Sequence, residues 1–292
     1  MIIYFDLHRK GIFATAFTKS GFPIKPHYKS RIATLSRLFY IQSFWPSLVF
    51  SDVRLEENDD KIIVFDSFSS PDYLEWLIKK HPGKRIIQWF WNPIRSLDKS
   101  AYPSEVELWT YSKSDSQKYG INYNTQFFFD SLAKLSSPIS VESPVHKVIF
   151  YGRNKDRLDV LDKLSKELET SGADVSLVIQ KTINTKHLRW LLEETQPYED
   201  VIDLIRQYDI ILDYSLSETA GLSLRFMESL FLNKKLITNN PAVLSEPFYD
   251  PSNIYVMGFD NRSYRDFFET PYRAVDDEIK DYYLLSNWYN RF

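Results

Sequence analysis

The sequence has no cysteine, which excludes disulfides, thiolate metal sites and cysteine nucleophiles and is compatible with a cytoplasmic protein. Glycine is scarce, at 8 of 292 residues. Neither GxGxxG nor GxxxxGK[ST] occurs, so a fingerprint-type dinucleotide site and P-loop hydrolysis lose most of their support. The five histidines are dispersed, and HExxH, an EF-hand loop, GxSxG and a DxD-like metal-phosphate motif are all missing. Metal ligation and a hydrolase triad are therefore disfavoured. Charge of one sign is lacking too: 36 basic against 39 acidic residues leave −3, so no global field draws the chain to nucleic acid or to an anionic bilayer. No apolar run approaches the ~18 residues of a spanning helix. MIIYFDLHRKG has its apolar run before its basic residues, is too short for a signal-peptide core, and reads as a first strand. The expectation is a soluble protein, at most bound to a membrane surface.

What the chain does have is aromatic side chains: 7 Trp, 19 Tyr and 21 Phe make up 16% of it. Such residues fill cores, and some line sugar or lipid clefts. Hydrophobic residues at 43% and charged ones at 26% are the balance of an ordered globular protein, and the length predicts two domains of about 100–200 residues each.

From Lys147 onward short apolar runs alternate with amphipathic helical segments, the signature of βαβ units on a parallel sheet. KVIFYG (147–152) is a strand, and KDRLDVLDKLSKELETSG is a helix with Leu158, Leu161, Leu164 and Leu168 on one face and Gly172 as its stop. SLVI, DIILDYS, KKLITN and NIYVMG are further strands, with a helix from PYEDVIDLIRQY and another from about Leu222 to Leu232 between them. The first half is less regular, yet IIYFD, KIIVFDSF, RIIQWFW, VELWTYS and TQFFF read as buried strands. SSPDYLEWLIKKHPG offers Ser70 as N-cap, Pro71 at the first helical position and a Pro-Gly stop. The Ser/Pro-rich 131–146 reads as a linker, and a last helix spans about 276–288. The expected domains are 1–140, 141–270 and a closing helical segment 271–292.

Ligands collect at the carboxyl ends of the strands in an open parallel sheet. That rule selects Gly152-Arg153-Asn154, Gln180-Lys181, Ser215 to Gly221, Asn239-Asn240 and Gly258, a mixture of basic, hydroxyl and amide groups suited to a phosphate-bearing ligand. ETAGLSLRFMESLFLNKKLITNN (218–240) places Arg225 and Glu228 on one side of a helix whose other side carries Phe226, Met227, Leu230 and Phe231. Two readings of that pair are open, an exposed ion pair worth about 0.5 kcal/mol and a ligand-facing pair at the crevice.

YGRNKDR, PYEDVIDLIRQYDIILDYSLSETAGLSLRFMESLFLNKKLITNNPAV and NIYVMG together resemble the C-terminal half of a bacterial GT-B glycosyltransferase of lipopolysaccharide or capsule biosynthesis; the resemblance runs over residues 147–260. It implies an α/β fold of two Rossmann-like, doubly wound domains facing a cleft, with the C-terminal helix crossing back to the first domain. The implied activity is metal-independent and cofactor-free transfer of a sugar from a nucleotide-sugar donor to a glycan or lipid-linked glycan acceptor. Carried over to this chain, Glu228 contacts the donor ribose, Gly221 with Ser223 forms the helix start at the diphosphate, and Gly152 and Arg153 reach phosphates. Tyr198 lies near the base or is an ordinary packed aromatic of the loop, while Arg225 neutralises diphosphate or orients Glu228. No first-domain residue matches a family base. Asp6 and Asp66, which end first-domain strands, are the candidates, with His8 and Asp130 behind them, and a turn or helix cap is the alternative role for each. A non-catalytic GT-B-like scaffold subunit and a sugar-nucleotide epimerase stay open as other functions. Residues 29–50 mix Lys29, Arg31 and Arg37 with apolar residues, as a lipid-facing helix or an ordinary core helix would.

Overall fold

The computed structural model describes residues 1–3, 12–29, 46–51, 53–55, 59–66, 69–135, 145–180, 191–192, 196–216 and 221–292. They form two compact units, Met1–Thr125 and Gln126–Phe292. Most of the expected linker, residues 136–144, and most of the segment 29–50 lie outside the described residues, as do Asp6 and His8. Among the described residues no helix is long and apolar enough to cross a membrane.

The first unit is built on a parallel sheet of β1 (Ile2–Ile3), β2 (Ile24–Lys25), β3 (Lys61–Phe65), β4 (Arg85–Phe90), β5 (Val106–Thr110) and β6 (Asn122–Tyr123), in the order β2-β1-β3-β4-β5-β6. Every residue of β3 is buried, as expected of a strand covered on both faces. The helix Pro71–Lys80 starts where its sequence predicts: Ser70 Oγ accepts from Tyr73 N–H, and Pro71 occupies the first turn, where a missing N–H costs nothing. It buries Tyr73, Leu74, Trp76 and Leu77 with Phe50, Ile62 and Val64, at about 1.5–3 kcal/mol for each large apolar side chain.

The second unit carries β7 (His146–Arg153), β8 (Ala173–Gln180), β9 (Leu191–Leu192), β10 (Ile210–Asp213), β11 (Lys235–Thr238) and β12 (Ile254–Val256), all parallel. Their order is β9-β8-β7-β10-β11-β12, so the chain winds outward one way from β7 and then the other way from β10. That is the Rossmann order, and its switch point lies between β7 and β10. The helix Leu158–Thr170 buries Leu161, Leu164 and Leu168 and ends at Gly172, whose φ of 101° only glycine adopts without strain.

Two local expectations change. TQFFF forms no ladder in the first sheet; Phe127, Phe128 and Phe129 are buried in the second unit, where Phe128 makes one parallel bridge to Leu284. The same contact breaks the last helix in two, Asp277–Tyr282 and Leu285–Asn290, because Tyr283 C=O and Leu285 N–H bond to Phe128 N–H and C=O at 2.7 and 2.8 Å. Asp130 then accepts from Ser286 N–H at 3.1 Å, so this carboxylate caps the final helix.

Candidate functional site

At the carboxyl ends of β7 and β10 the chain sets two guanidinium groups against one ring, with Lys155 and Arg153 close enough to act on them electrostatically. Arg157 and Arg225 each place a guanidinium carbon 4.7 Å from the centroid of Phe150. Arg225 Nη1 pairs with Asp213 Oδ1 at 3.2 Å, and its Nη2 donates to Tyr151 C=O. Arg157 donates to Arg153 C=O at 3.0 Å and to Tyr214 C=O. The two guanidiniums lie so close to the backbone that a Cβ at position 152 would displace Arg225 Nη2 from its place and crowd Arg157 Nη2 at 3.4 Å.

The turn that delivers these cations is strained. Lys155 and Asp156 are consecutive non-glycine residues in the left-handed region, with φ of 47° and 58°, at about 1–3 kcal/mol each. Arg157 N–H closes the turn on Asn154 C=O at 3.2 Å, which brings Arg153, Lys155 and Arg157 to one end of the sheet. Burial lowers the Lys155 pKa, and the neighbouring Arg157, Arg225 and Arg153 lower it further. Arg157 is brought down to about 10, first by burial and then by Arg225, against the opposing pull of Asp213. Asp213 is the carboxylate that pairs with Arg225, and it also accepts from Ser223 Oγ and Thr238 Oγ1, both at 2.9 Å.

Hydrogen-bonding capacity is left over here. Arg157 Nε, Arg225 Nε and Asn154 Oδ1 are buried without partners. A buried unpaired polar atom costs about 1–3 kcal/mol, so an incoming polar group that reached any of these atoms would be stabilised.

Ser223 caps the helix Leu224–Leu232, its Oγ accepting from Arg225 N–H at 3.3 Å while donating to Asp213. Gly221 C=O accepts from Asn240 Nδ2 at 3.4 Å, and Leu222 C=O from Gln126 Nε2 at 3.3 Å, so the approach to the helix is tethered on both sides. Ser215 and Asn239 clasp each other, backbone to amide, at 2.8 and 2.7 Å across the ends of β10 and β11.

One turn into that helix, Glu228 is buried, and Tyr198 Oη donates to its Oε1 at 2.9 Å. The ion pair that spacing allows between Arg225 and Glu228 does not form, because Arg225 pairs with Asp213 and Glu228 with Tyr198. Burial raises the Glu228 pKa; the Arg225 charge and the Tyr198 hydrogen bond pull it partly back. The structure thus brings Gly152, Arg153, Ser223 and Arg225 to one cluster, with Glu228 and Tyr198 behind it and Gly221 on the loop leading in. Sequence reasoning missed Arg157 and Asp213. Three cations in the five residues RNKDR after a strand-ending glycine could have pointed to the first, whereas Asp213 reads as one more residue of a strand.

In the first unit, Asp66 follows β3, at the switch point of its own sheet. Asn92 N–H donates to Asp66 Oδ2 at 3.2 Å, and Asn92 Nδ2 reaches Oδ1 and Oδ2 at 3.2 and 3.1 Å. Burial raises the Asp66 pKa from its ordinary 3.8, against the pull of these hydrogen bonds.

No protein-family profile matches the sequence, and no curated protein matches it. Among solved structures, a glycosyltransferase from Rickettsia africae is 13% identical with a TM-score of 0.55, the match covering 99% of this chain and 87% of that one. The spinosyn rhamnosyltransferase SpnG, 8% identical with a TM-score of 0.38 over 81% of this chain and 79% of its own, is too slight a likeness to carry an argument. The two parallel sheets, the second wound in Rossmann order, and the likeness along nearly the whole chain show the two-domain GT-B fold.

Proposed function

We propose that the chain is a glycosyltransferase whose second unit holds a nucleotide-sugar donor and whose first unit holds a glycan acceptor of the lipopolysaccharide or capsule type. The observation that carries this is the cation cluster at the β7/β10 switch point. Arg225 pairs with Asp213, whose charge Arg157 also feels; Arg153 and Lys155 stand close by, and two guanidinium Nε–H groups are buried without partners. A diphosphate satisfies such a site, since it carries several negative oxygens that accept from guanidinium groups and is favoured by the positive end of the helix Leu224–Leu232. Preorganised cations stabilise the charge that develops on a departing nucleoside diphosphate without a divalent ion. Gly152 lets the two guanidiniums close on the backbone, and Gly221 and Ser223 lead into the helix N-terminus. Glu228, with one oxygen fixed by Tyr198, accepts from ribose hydroxyls through the other.

In an inverting transfer the acceptor oxygen bonds to the sugar's anomeric carbon, and the bond from that carbon to the diphosphate breaks, its electron pair leaving with the nucleoside diphosphate. Asp66, with its raised pKa, takes the hydroxyl proton. Calorimetry of the full chain with UDP, GDP, dTDP and CMP and their sugars tests this reading. The expected result is binding of one nucleoside diphosphate that weakens with salt and is lost about 100-fold in Arg157→Gln, since two donors to a phosphate disappear. No binding by any member of the panel overturns it.

A further inference from the structure

The last residue of β11 and the two that follow it, Thr238, Asn239 and Asn240, each take hold of a different piece of the chain around the guanidinium cluster. Thr238 stands in register with Asp213, the last residue of β10, and its Oγ1 donates to Asp213 Oδ2 at 2.9 Å. Asn239 continues the ladder with its side chain: Oδ1 accepts from Ser215 N–H at 2.8 Å and Nδ2 donates to Ser215 C=O at 2.7 Å, where the chain leaves β10. Asn240 Nδ2 donates to Gly221 C=O at 3.4 Å, where the chain returns toward the helix Leu224–Leu232. Asn240 is itself held, its N–H donating to Thr238 Oγ1 at 3.0 Å and its Oδ1 accepting from Ala242 N–H at 3.1 Å.

These side chains stand at a strand end, where the crevice rule puts ligand contacts, yet their polar groups turn inward. A hydroxyl has one proton, and Thr238, fully buried, gives its own to Asp213, so none is left for a phosphate. Asn239 applies both ends of its amide to one residue, a planar two-point contact that fixes where Ser215 stands and how it is turned. The carboxylate of Asp213 divides its oxygens: Oδ1 takes Arg225 Nη1 at 3.2 Å and Ser223 Oγ at 2.9 Å, while Oδ2 takes Thr238. Thr238 therefore sets the rotation of the carboxylate from one side, and that rotation decides where Oδ1 holds the Arg225 guanidinium. β11 lies between β10 and β12, so the strip has a rigid base.

We propose that Thr238, Asn239 and Asn240 are positioning residues of the donor site: they touch no ligand, and they fix Asp213, Ser215 and Gly221 and, through Asp213, the guanidinium of Arg225. This role rests on the donor reading of the cluster and adds to it what holds Arg225 in place.

The test is calorimetry of the full chain with inorganic pyrophosphate at low salt. Thr238→Val keeps the β-branched shape and removes the hydroxyl, and Thr238→Ser keeps the hydroxyl. Pyrophosphate affinity is expected to fall about fivefold in Thr238→Val through loss of one hydrogen bond, and to be restored in Thr238→Ser. In an Arg225→Gln background, which binds more weakly from the start, Thr238→Val is expected to change affinity by less than about twofold, because the group through which Thr238 acts is gone. A merely structural role would not give that pattern: it would lower the thermal midpoint and leave affinity alone, or weaken binding equally in both backgrounds. Asn239 is half-buried, so Asn239→Ala carries the test if Thr238→Val fails to fold; its affinity is expected to fall about threefold. Wild-type affinity in Thr238→Val or in Asn239→Ala overturns the proposal, as do a Thr238→Ser variant as weak as Thr238→Val and a Thr238→Val effect undiminished by Arg225→Gln. A wild type that binds pyrophosphate while the variants behave in one of these ways loses only the positioning strip. A wild type that binds neither pyrophosphate nor any nucleotide loses the donor reading and the strip with it.

Discussion

The Tyr198 hydroxyl donates to Glu228 Oε1 across 2.9 Å, tying the first turn of the helix Tyr198–Ile205 to the middle of the helix Leu224–Leu232 inside the second unit. Phe129 packs edge-on against the same tyrosine at 5.6 Å, so the ring has little freedom and the carboxylate inherits its orientation. A buried carboxylate that must keep one oxygen available is costly to hold, and the hydroxyl offsets part of that cost.

Tyr198→Phe keeps the ring packing and removes this one bond. Unfolding in urea is expected to show a loss of about 1–3 kcal/mol, as for a buried charged group deprived of a donor. The bond also holds the Glu228 pKa down, so its removal lets burial raise that pKa further. The pH below which nucleotide affinity fades therefore moves upward in the variant, as calorimetry across the acid range would show. An unmoved acid limb would separate Tyr198 from donor binding.

Glu228→Gln tests the charge itself. With its folded pKa above the ordinary 4.5, the folded chain holds this proton more tightly than the unfolded chain does. The resulting stabilisation is complete below 4.5 and is lost as pH rises through the folded value. The glutamine variant lacks that titration and keeps an acceptor for Tyr198. Its unfolding free energy should fall less than the wild type's between acid and neutral pH, while its nucleotide affinity falls about tenfold with the loss of a charged acceptor. Parallel stability profiles for the two proteins would remove Glu228 as the buried titrating group.

Gly152→Ala separates the guanidinium cluster from the fold. The added Cβ would lie 2.4 Å from Arg225 Nη2, the far end of a flexible side chain, so the guanidinium moves and the strand does not. Stability is expected to change by about 1 kcal/mol, within the usual range for a single substitution. Diphosphate affinity is expected to fall about tenfold through the lost bidentate geometry. Unchanged affinity would show that Arg225 contributes nothing in this pose.

Asp213→Asn removes the charge partner of Arg225 and replaces a carboxylate that accepts from Ser223, Thr238 and Arg225 by a group with one accepting oxygen. Breaking one side of a buried pair costs about 3–5 kcal/mol. Urea unfolding should show a loss of that order, and the uncompensated cation cluster should make stability rise steeply with added phosphate.

The parallel sheets were legible because buried strands read as unbroken apolar runs, and helix ends because Ser70, Pro71 and Gly172 impose local geometry that no distant contact has to confirm. The site was legible only in part. Glu228 and Arg225 stand out in an apolar helix, but their partners Tyr198 and Asp213 lie 30 and 12 residues away and are selected by strand order, which single-sequence periodicity does not encode. TQFFF shows the opposite failure: its apolar content is that of a strand, yet its phenylalanines are covered by helical residues distant in sequence, Tyr198, Phe231 and Trp288.

Lys235 provides a control remote from the site, at the amino end of β11. Its ammonium donates to the carbonyls of Phe267, Phe268 and Thr270 at the end of the helix Tyr264–Glu269, and sits 4.8 Å from the Phe267 ring. Burial, with Arg262 adding to it, lowers its pKa from 10.5 to about 8. Between those values the unfolded chain keeps a proton that the folded chain has released, so stability rises with pH across that window: the contribution is complete above 10.5 and lost as pH falls through about 8. Lys235→Met has no such group, and its stability should rise less with pH than the wild type's over the same range while nucleotide affinity matches the wild type. A variant that loses nucleotide affinity as well would mean that the two ends of β11 are energetically coupled and that effects seen in the Asp213 and Gly152 variants are not local to the switch point.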